Sequence, residues 1–166
     1  MFTRIFAVAA ALIALPSIAD AQSVTRHANT PPGLILQGVT VAPGATTLYL
    51  SGALASPLDS AKGKPMAELT MADYGDTKTQ TISIFNKIKT ILAARGMTMA
   101  DVIKLTVFVA GDPKLGGKMD FAGMNEGFKM FFGSADNPGT VARSTVQVAA
   151  LAGPNFLVEI EATAAK

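Results

Sequence analysis

The sequence predicts an α+β domain in which two helices pack on one face of a mainly antiparallel sheet, in the order ββαβαββ. Three observations carry this. Residues 76–95 and 119–132 repeat apolar side chains at helical spacing. Residues 34–42, 47–54, 102–109 and two runs within 141–165 are rich in β-branched and aliphatic residues and are bounded by glycine- and proline-bearing turns. Strands cluster at both ends of the chain as hairpins, an arrangement that places helices on one side of a sheet. The strands carry apolar residues on both sides, so the second face needs a cover, and self-association is the economical one.

Met1 to Ala21 reads as a signal peptide. Arg4 precedes an apolar run from Ile5 to Leu15, and Ala19-Asp20-Ala21 is a small-residue cleavage signal. The run is too short to span a bilayer. Cleavage leaves residues 22–166 as one exported, periplasmic or secreted domain with no membrane attachment, large enough to bury a core unaided. Cysteine is absent, which excludes disulfides, thiol nucleophiles and cysteine metal sites. The net charge of +2 comes from 14 basic and 12 acidic residues, and the lysines are scattered without interleaved aromatics. Nucleic acid is therefore not an expected partner.

Residues 24–32 are polar and proline-bearing and are expected to form a loose arm. The arm holds the single histidine, His27, read as solvated; one histidine and no cysteine leave no metal site. Residues 34–42 and 47–54 flank Pro43-Gly44, which fits the centre of a type II turn, so they are expected to pair as a hairpin. Gly52 near the end of the second strand permits close backbone approach. Residues 55–75 read as a long loop. Asp76 to Arg95 is the clearest helix: Ile84, Ile88, Ile91 and Leu92 form a stripe, Asp76 is the N-cap and Gly96 closes it. Thr98 to Asp101 is a capped turn into the strand 102–109, apolar on nearly both sides and so central. The helix 119–132 lines one side with Phe121, Met124, Phe128, Phe131 and Phe132, with Asn125 beside them as a buried hydrogen-bonder or a site residue.

The last fifth, 141–165, reads as two strands joined by Gly153-Pro154-Asn155. The first carries Arg143; the second carries Glu159 and Glu161, which share strand parity. A guanidinium in an apolar strand needs a partner, because burying an unpaired charge costs several kcal/mol or more. The partner is either the glutamate pair or an anionic ligand.

These motifs resemble the RidA family (also called YjgF/UK114), small enamine/imine deaminases. The resemblance rests on Ala142-Arg143-Ser144, then Val146 and Leu151, then Val158-Glu159-Ile160. It is supported by Leu50-Ser51-Gly52, by residues 96–109, and by Met124-Asn125 followed by Phe131-Phe132. It implies a homotrimer with clefts between subunits and hydrolysis of small 2-imino or 2-enamino acids to 2-oxo acids and ammonia, without a cofactor. It also implies roles. Arg143 pairs with a small substrate's carboxylate and Glu159 handles the water and the protons, while Gly52, Asn125 and the Thr145 backbone position the substrate. The sequence departs from the family's pattern at Val141, where proline is usual, at Thr145, often cysteine, and at Ile35, often tyrosine. The alternatives are a non-catalytic trimeric carboxylate binder of the cell envelope and an endoribonuclease.

Overall fold

The computed structural model describes residues 23–166; the expected signal peptide lies outside them. Six strands and two helices follow one another: β1 (Val24–His27), β2 (Gly38–Val41), β3 (Thr47–Leu54), α1 (Thr77–Ala93), β4 (Val102–Ala110), α2 (Phe121–Lys129), β5 (Ala142–Val148) and β6 (Val158–Ala165). The main sheet has the order β3-β6-β4-β5. Its β3–β6 and β6–β4 pairs are antiparallel and β4–β5 is parallel, with α2 as the crossover between those two strands. The sheet is thus mainly antiparallel, as expected.

α1 begins where Asp76 accepts a hydrogen bond from the Thr79 amide at 2.8 Å, and Gly96 (φ 67°) follows its last turn. Ile84, Phe85, Ile88 and Leu92 are buried, whereas Ile91, expected in the stripe, is 42% exposed. α2 is capped by Asp120, whose side chain accepts from the Gly123 amide. It is shorter than the expected 119–132, and Phe132 reaches the core from the turn beyond it. Gly127 lets the helices approach closely: a Cβ there would lie 2.8 Å from Thr81 Cβ. Leu105, Val107 and Val109 of β4 join Phe85, Phe128 and Phe132 in one core between sheet and helices. Lys104, Thr106 and Phe108 alternate onto the opposite face, which neither helix covers. That face is mixed, with exposed Tyr49 and Val146 beside Lys104, Thr106, Glu161 and Thr163.

Three expectations are corrected. The arm at 24–32 is ordered at its start: Val24–His27 pairs with Gly38–Val41 as a separate two-stranded sheet. Arg26 ties that sheet to the body, donating to the carbonyls of Ala100 at 2.6 Å and of Val102 and Thr140 at 3.0 Å. Residues 34–42 and 47–54 keep their turn, with Gly44 at φ 87°, but form no hairpin, because β2 pairs with β1 while the longer β3 pairs with β6. The final two strands are not neighbours either. Their connection is long enough for β6 to pass beyond β4, which separates it from β5. Residues 55–75 contain three short 3-10 turns and are pinned by Lys64–Asp73, by the Asn155 side chain on Leu69 O, and by Ser83 Oγ on the Ser56 amide.

Candidate active site

Arg143 enters β5 opposite Leu105, and residues side by side in a sheet share a face, so its side chain leaves the sheet on the helix side. There it meets α2, where Phe121, Asn125 and Phe128 follow one another at one-turn spacing and make a single stripe. Arg143 Nη2 donates to Asn125 Oδ1 at 2.7 Å and Nη1 to Met124 Sδ at 3.7 Å. The guanidinium lies 4.4 Å from the centroid of the Phe128 ring and 6.0 Å from that of Phe121. Such cation–π contacts hold the charge in place without neutralising it. Among the described residues Arg143 has no carboxylate partner; the ion pairs are Lys64–Asp73 and Lys78–Glu126. Burial pushes its pKa down to about 10, so it remains cationic at neutral pH. Two of the five N–H donors of a guanidinium are thus engaged. Thr145, two residues along on the same face, has a buried hydroxyl with no hydrogen-bond partner.

Glu159 occupies the other side of the sheet. On β6 it pairs with Phe108 and Leu54, and Glu161 pairs with Thr106, so both carboxylates share the uncovered face. The β3–β6 register shifts between Leu50 and Ala53, and this irregularity carries Gly52 against Glu159. A Cβ on Gly52 would lie 2.0 Å from Glu159 Oε1, so only glycine leaves the carboxylate where it is. A depression of about 330 Å³ opens here, lined by Phe108, Val148, Leu151, Glu159 and Glu161 among others. A larger cleft, about 450 Å³, lies between the C-terminal ends of the helices and touches none of the five expected site residues.

The structure therefore sorts the expected residues into two groups, Arg143 with Asn125 and Thr145, and Glu159 with Gly52. Leu105 and Phe108, their partners on β4, are three residues apart, or about 10 Å, and β5 and β6 lie two strand spacings apart, so the two Cα atoms are about 14 Å apart. They also point to opposite faces. Of the two alternatives for Arg143, the glutamate pair is not its partner within the chain, because β4 lies between their strands. Ile35 belongs to neither group; its carbonyl accepts from Asn29 Nδ2. His27 is exposed and its Nε2 lies 2.8 Å from Thr40 Oγ1. Among the described residues no cluster of His, Asp and Glu is placed to hold a metal. The sequence reading places the stacking partners of Arg143 only as residues lining one side of α2. The one-turn spacing of Phe121, Asn125 and Phe128 was the available signal.

Residues 38–166 match the family model described as Endoribonuclease L-PSP. The chain belongs to the RidA (YjgF/UK114) family. A RutC family protein of Pyrococcus horikoshii is 34% identical over 142 residues, covering 86% of this chain and 94% of the relative. A protein of Salmonella typhimurium named 2-iminobutanoate/2-iminopropanoate deaminase is 32% identical over 126 residues, covering 75% of this chain and 92% of its own. Among solved structures, a Rid family protein of unknown function from Yersinia pestis superposes with a TM-score of 0.64 at 25% identity, over 87% of this chain and 99% of its own. The RidA fold thus accounts for the two-helix, mainly antiparallel architecture, and deaminase names among the relatives point to hydrolytic chemistry.

Proposed function

We propose that this RidA-family protein hydrolyses small 2-imino acids, or their enamine tautomers, to 2-oxo acids and ammonia. We place the site between protomers of a homotrimer, where Arg143 of one chain faces Glu159 of the next, and we place the protein outside the cytoplasm on the strength of its leader. The observation that carries the reading is the state of Arg143: half-buried, stacked on Phe128, bonded to a neutral amide, and without an acid partner among the described residues. A planar cation held this way suits a carboxylate better than a lysine would.

In this mechanism Arg143 takes the substrate carboxylate. Glu159 accepts a proton from a water as its oxygen bonds to C2 of the imine, giving a carbinolamine. That first proton passes to the imine nitrogen to complete the neutral carbinolamine. Glu159 then takes the hydroxyl proton and delivers it to the amine nitrogen as C=O forms and the C–N bond breaks, releasing ammonia and leaving the 2-oxo acid. Nothing is oxidised or reduced. Gly52 keeps Glu159 in place, Asn125 keeps Arg143 in place, and the Thr145 backbone and unpartnered hydroxyl border the anion site.

The test is ammonia release from imines generated in situ by an amino-acid oxidase, with wild type and Arg143→Ala compared. The proposal expects release with wild type and loss of most of it in the variant; full rate in Arg143→Ala would overturn it. One observation favours a second reading, a non-catalytic carboxylate binder. A single chain displays the anion site with the glutamate on the far face. Saturable 2-oxo acid binding with no ammonia release at high protein concentration would establish that reading instead.

A further inference from the structure

We infer that Phe121 selects the substrate side chain and that, among the small 2-imino acids of the proposed reaction, those with the larger apolar side chains are preferred. This rests on the reading of Arg143 as the carboxylate anchor. Phe121 and Phe128 lie on one stripe of α2, but their surroundings differ. Phe128 is fully buried, whereas Phe121 is 44% exposed while its ring centroid remains 6.0 Å from the guanidinium carbon. Of the two rings beside the half-buried guanidinium, only Phe121 is open to a ligand.

Distances say what it contacts. With charge-assisted N···O bonds of ordinary length, the carbon of a bidentate carboxylate sits about 4 Å from the guanidinium carbon, and C2 lies about 1.5 Å further out. C2 thus lies about 5.5 Å from the guanidinium carbon, a radius comparable with the 6.0 Å to the Phe121 centroid, so a long substituent on C2 can reach that ring. The polar group nearest in the sequence of the wall is already committed. Gln147, on the same face of β5 as Arg143 and Thr145, accepts from the Met119 amide at 3.0 Å and donates to Gly117 O at 2.8 Å. Met124 is buried and Met119 is packed against the core. The residues named beside the anchor are thus aromatic and thioether, and the Gln147 amide is already engaged.

The experiment measures kcat/KM on imines formed in situ from alanine, leucine, phenylalanine and glutamate, for wild type, Phe121→Ala and Phe121→Leu. The dissociation constants of the matching 2-oxo acids are measured alongside. Wild type is expected to favour the leucine and phenylalanine imines over the alanine imine by about tenfold, the scale of one well-placed apolar contact. The glutamate imine should be the poorest. Phe121→Ala should erase that preference in both kcat/KM and oxo-acid affinity. Phe121→Leu should keep the leucine preference and lose the phenylalanine one, and it supplies the readout if the alanine variant fails to fold. Unchanged ratios in a folded variant, or a wild type blind to side-chain size, would overturn the inference while leaving deamination standing. Phe121-dependent discrimination among 2-oxo acids with no turnover of any imine would do the reverse.

Discussion

Replacing Gly52 by alanine tests the placement of Glu159 with a single methyl group. The new Cβ would lie 2.0 Å from Glu159 Oε1, 2.9 Å from its Cδ and 3.2 Å from its Cγ. An ordinary carbon–oxygen contact is about 3.4 Å, so the carboxylate must move by about 1.4 Å. The backbone does not resist: Gly52 is not among the residues with positive φ. Nor does the core, because Gly52 is exposed and the group it meets is the end of a flexible side chain. Stability should therefore change by less than about 1 kcal/mol, with the stiffer unfolded chain offsetting part of any loss. Activity should not be spared. A misplacement of about 1 Å at a reacting group can cost about 100-fold, equivalent to about 2.7 kcal/mol of transition-state stabilisation. The assay is kcat/KM for ammonia release beside a thermal melt, with Glu159→Gln setting the floor. A Gly52→Ala protein with wild-type kcat/KM and wild-type Tm would refute the reasoning, since the carboxylate would have moved without consequence.

Asn125→Asp puts a carboxylate where the amide oxygen now sits 2.7 Å from Arg143 Nη2, so the guanidinium would be satisfied within its own chain. Affinity for 2-oxo acids should fall at least about tenfold, read by calorimetry, with the fold retained. Arg26→Ala removes a charged donor from the carbonyls of Ala100, Val102 and Thr140. It should cost about 2 kcal/mol and lower Tm by about 8 °C, because water replaces the donor only in part. Acid should loosen residues 55–75 before the core. The Thr70 amide, with Lys64 and the Thr70 hydroxyl, lowers the Asp73 pKa from 3.8 to about 2. A carboxyl with a depressed pKa stabilises fully above its unfolded value and loses that contribution as pH falls through the folded one. Protection against hydrogen exchange in this segment, relative to the intrinsic rate at each pH, should therefore fall between pH 3.8 and about 2, and Asp73→Asn should show reduced protection already at neutral pH.

The parts of the fold written in short-range periodicity were legible in the sequence. The Ile84–Ile88–Leu92 stripe, the Asp76 cap and the Thr98–Asp101 capping box give α1 and the turn into β4, and each depends on residues within one or two turns. Strand partners were not legible. β2 to β3 and β5 to β6 are adjacent in the chain and carry turn residues, yet each strand finds its partner elsewhere, because pairing is decided by which faces can be buried together. β1 is four residues long, and the group that fixes it, Arg26, bonds to carbonyls 74, 76 and 114 positions away. Arg143, Asn125, Glu159 and Gly52 stand out in the residue pattern itself, and the family motifs add the roles expected of them. The division of these residues between the two faces follows from the strand order β3-β6-β4-β5, which no local pattern states.

The central claim is that Arg143 and Glu159 act together only when they come from different protomers, and subunit complementation measures this directly. Arg143→Ala and Glu159→Gln are each expected to be inactive alone. Unfolded together in equal amounts and refolded as mixed trimers, they should recover about a quarter of wild-type ammonia release, because one interface in four joins an intact arginine to an intact glutamate. A mixture that assembles and stays as inactive as its components would contradict the account, since a site built within one chain can never be restored by mixing.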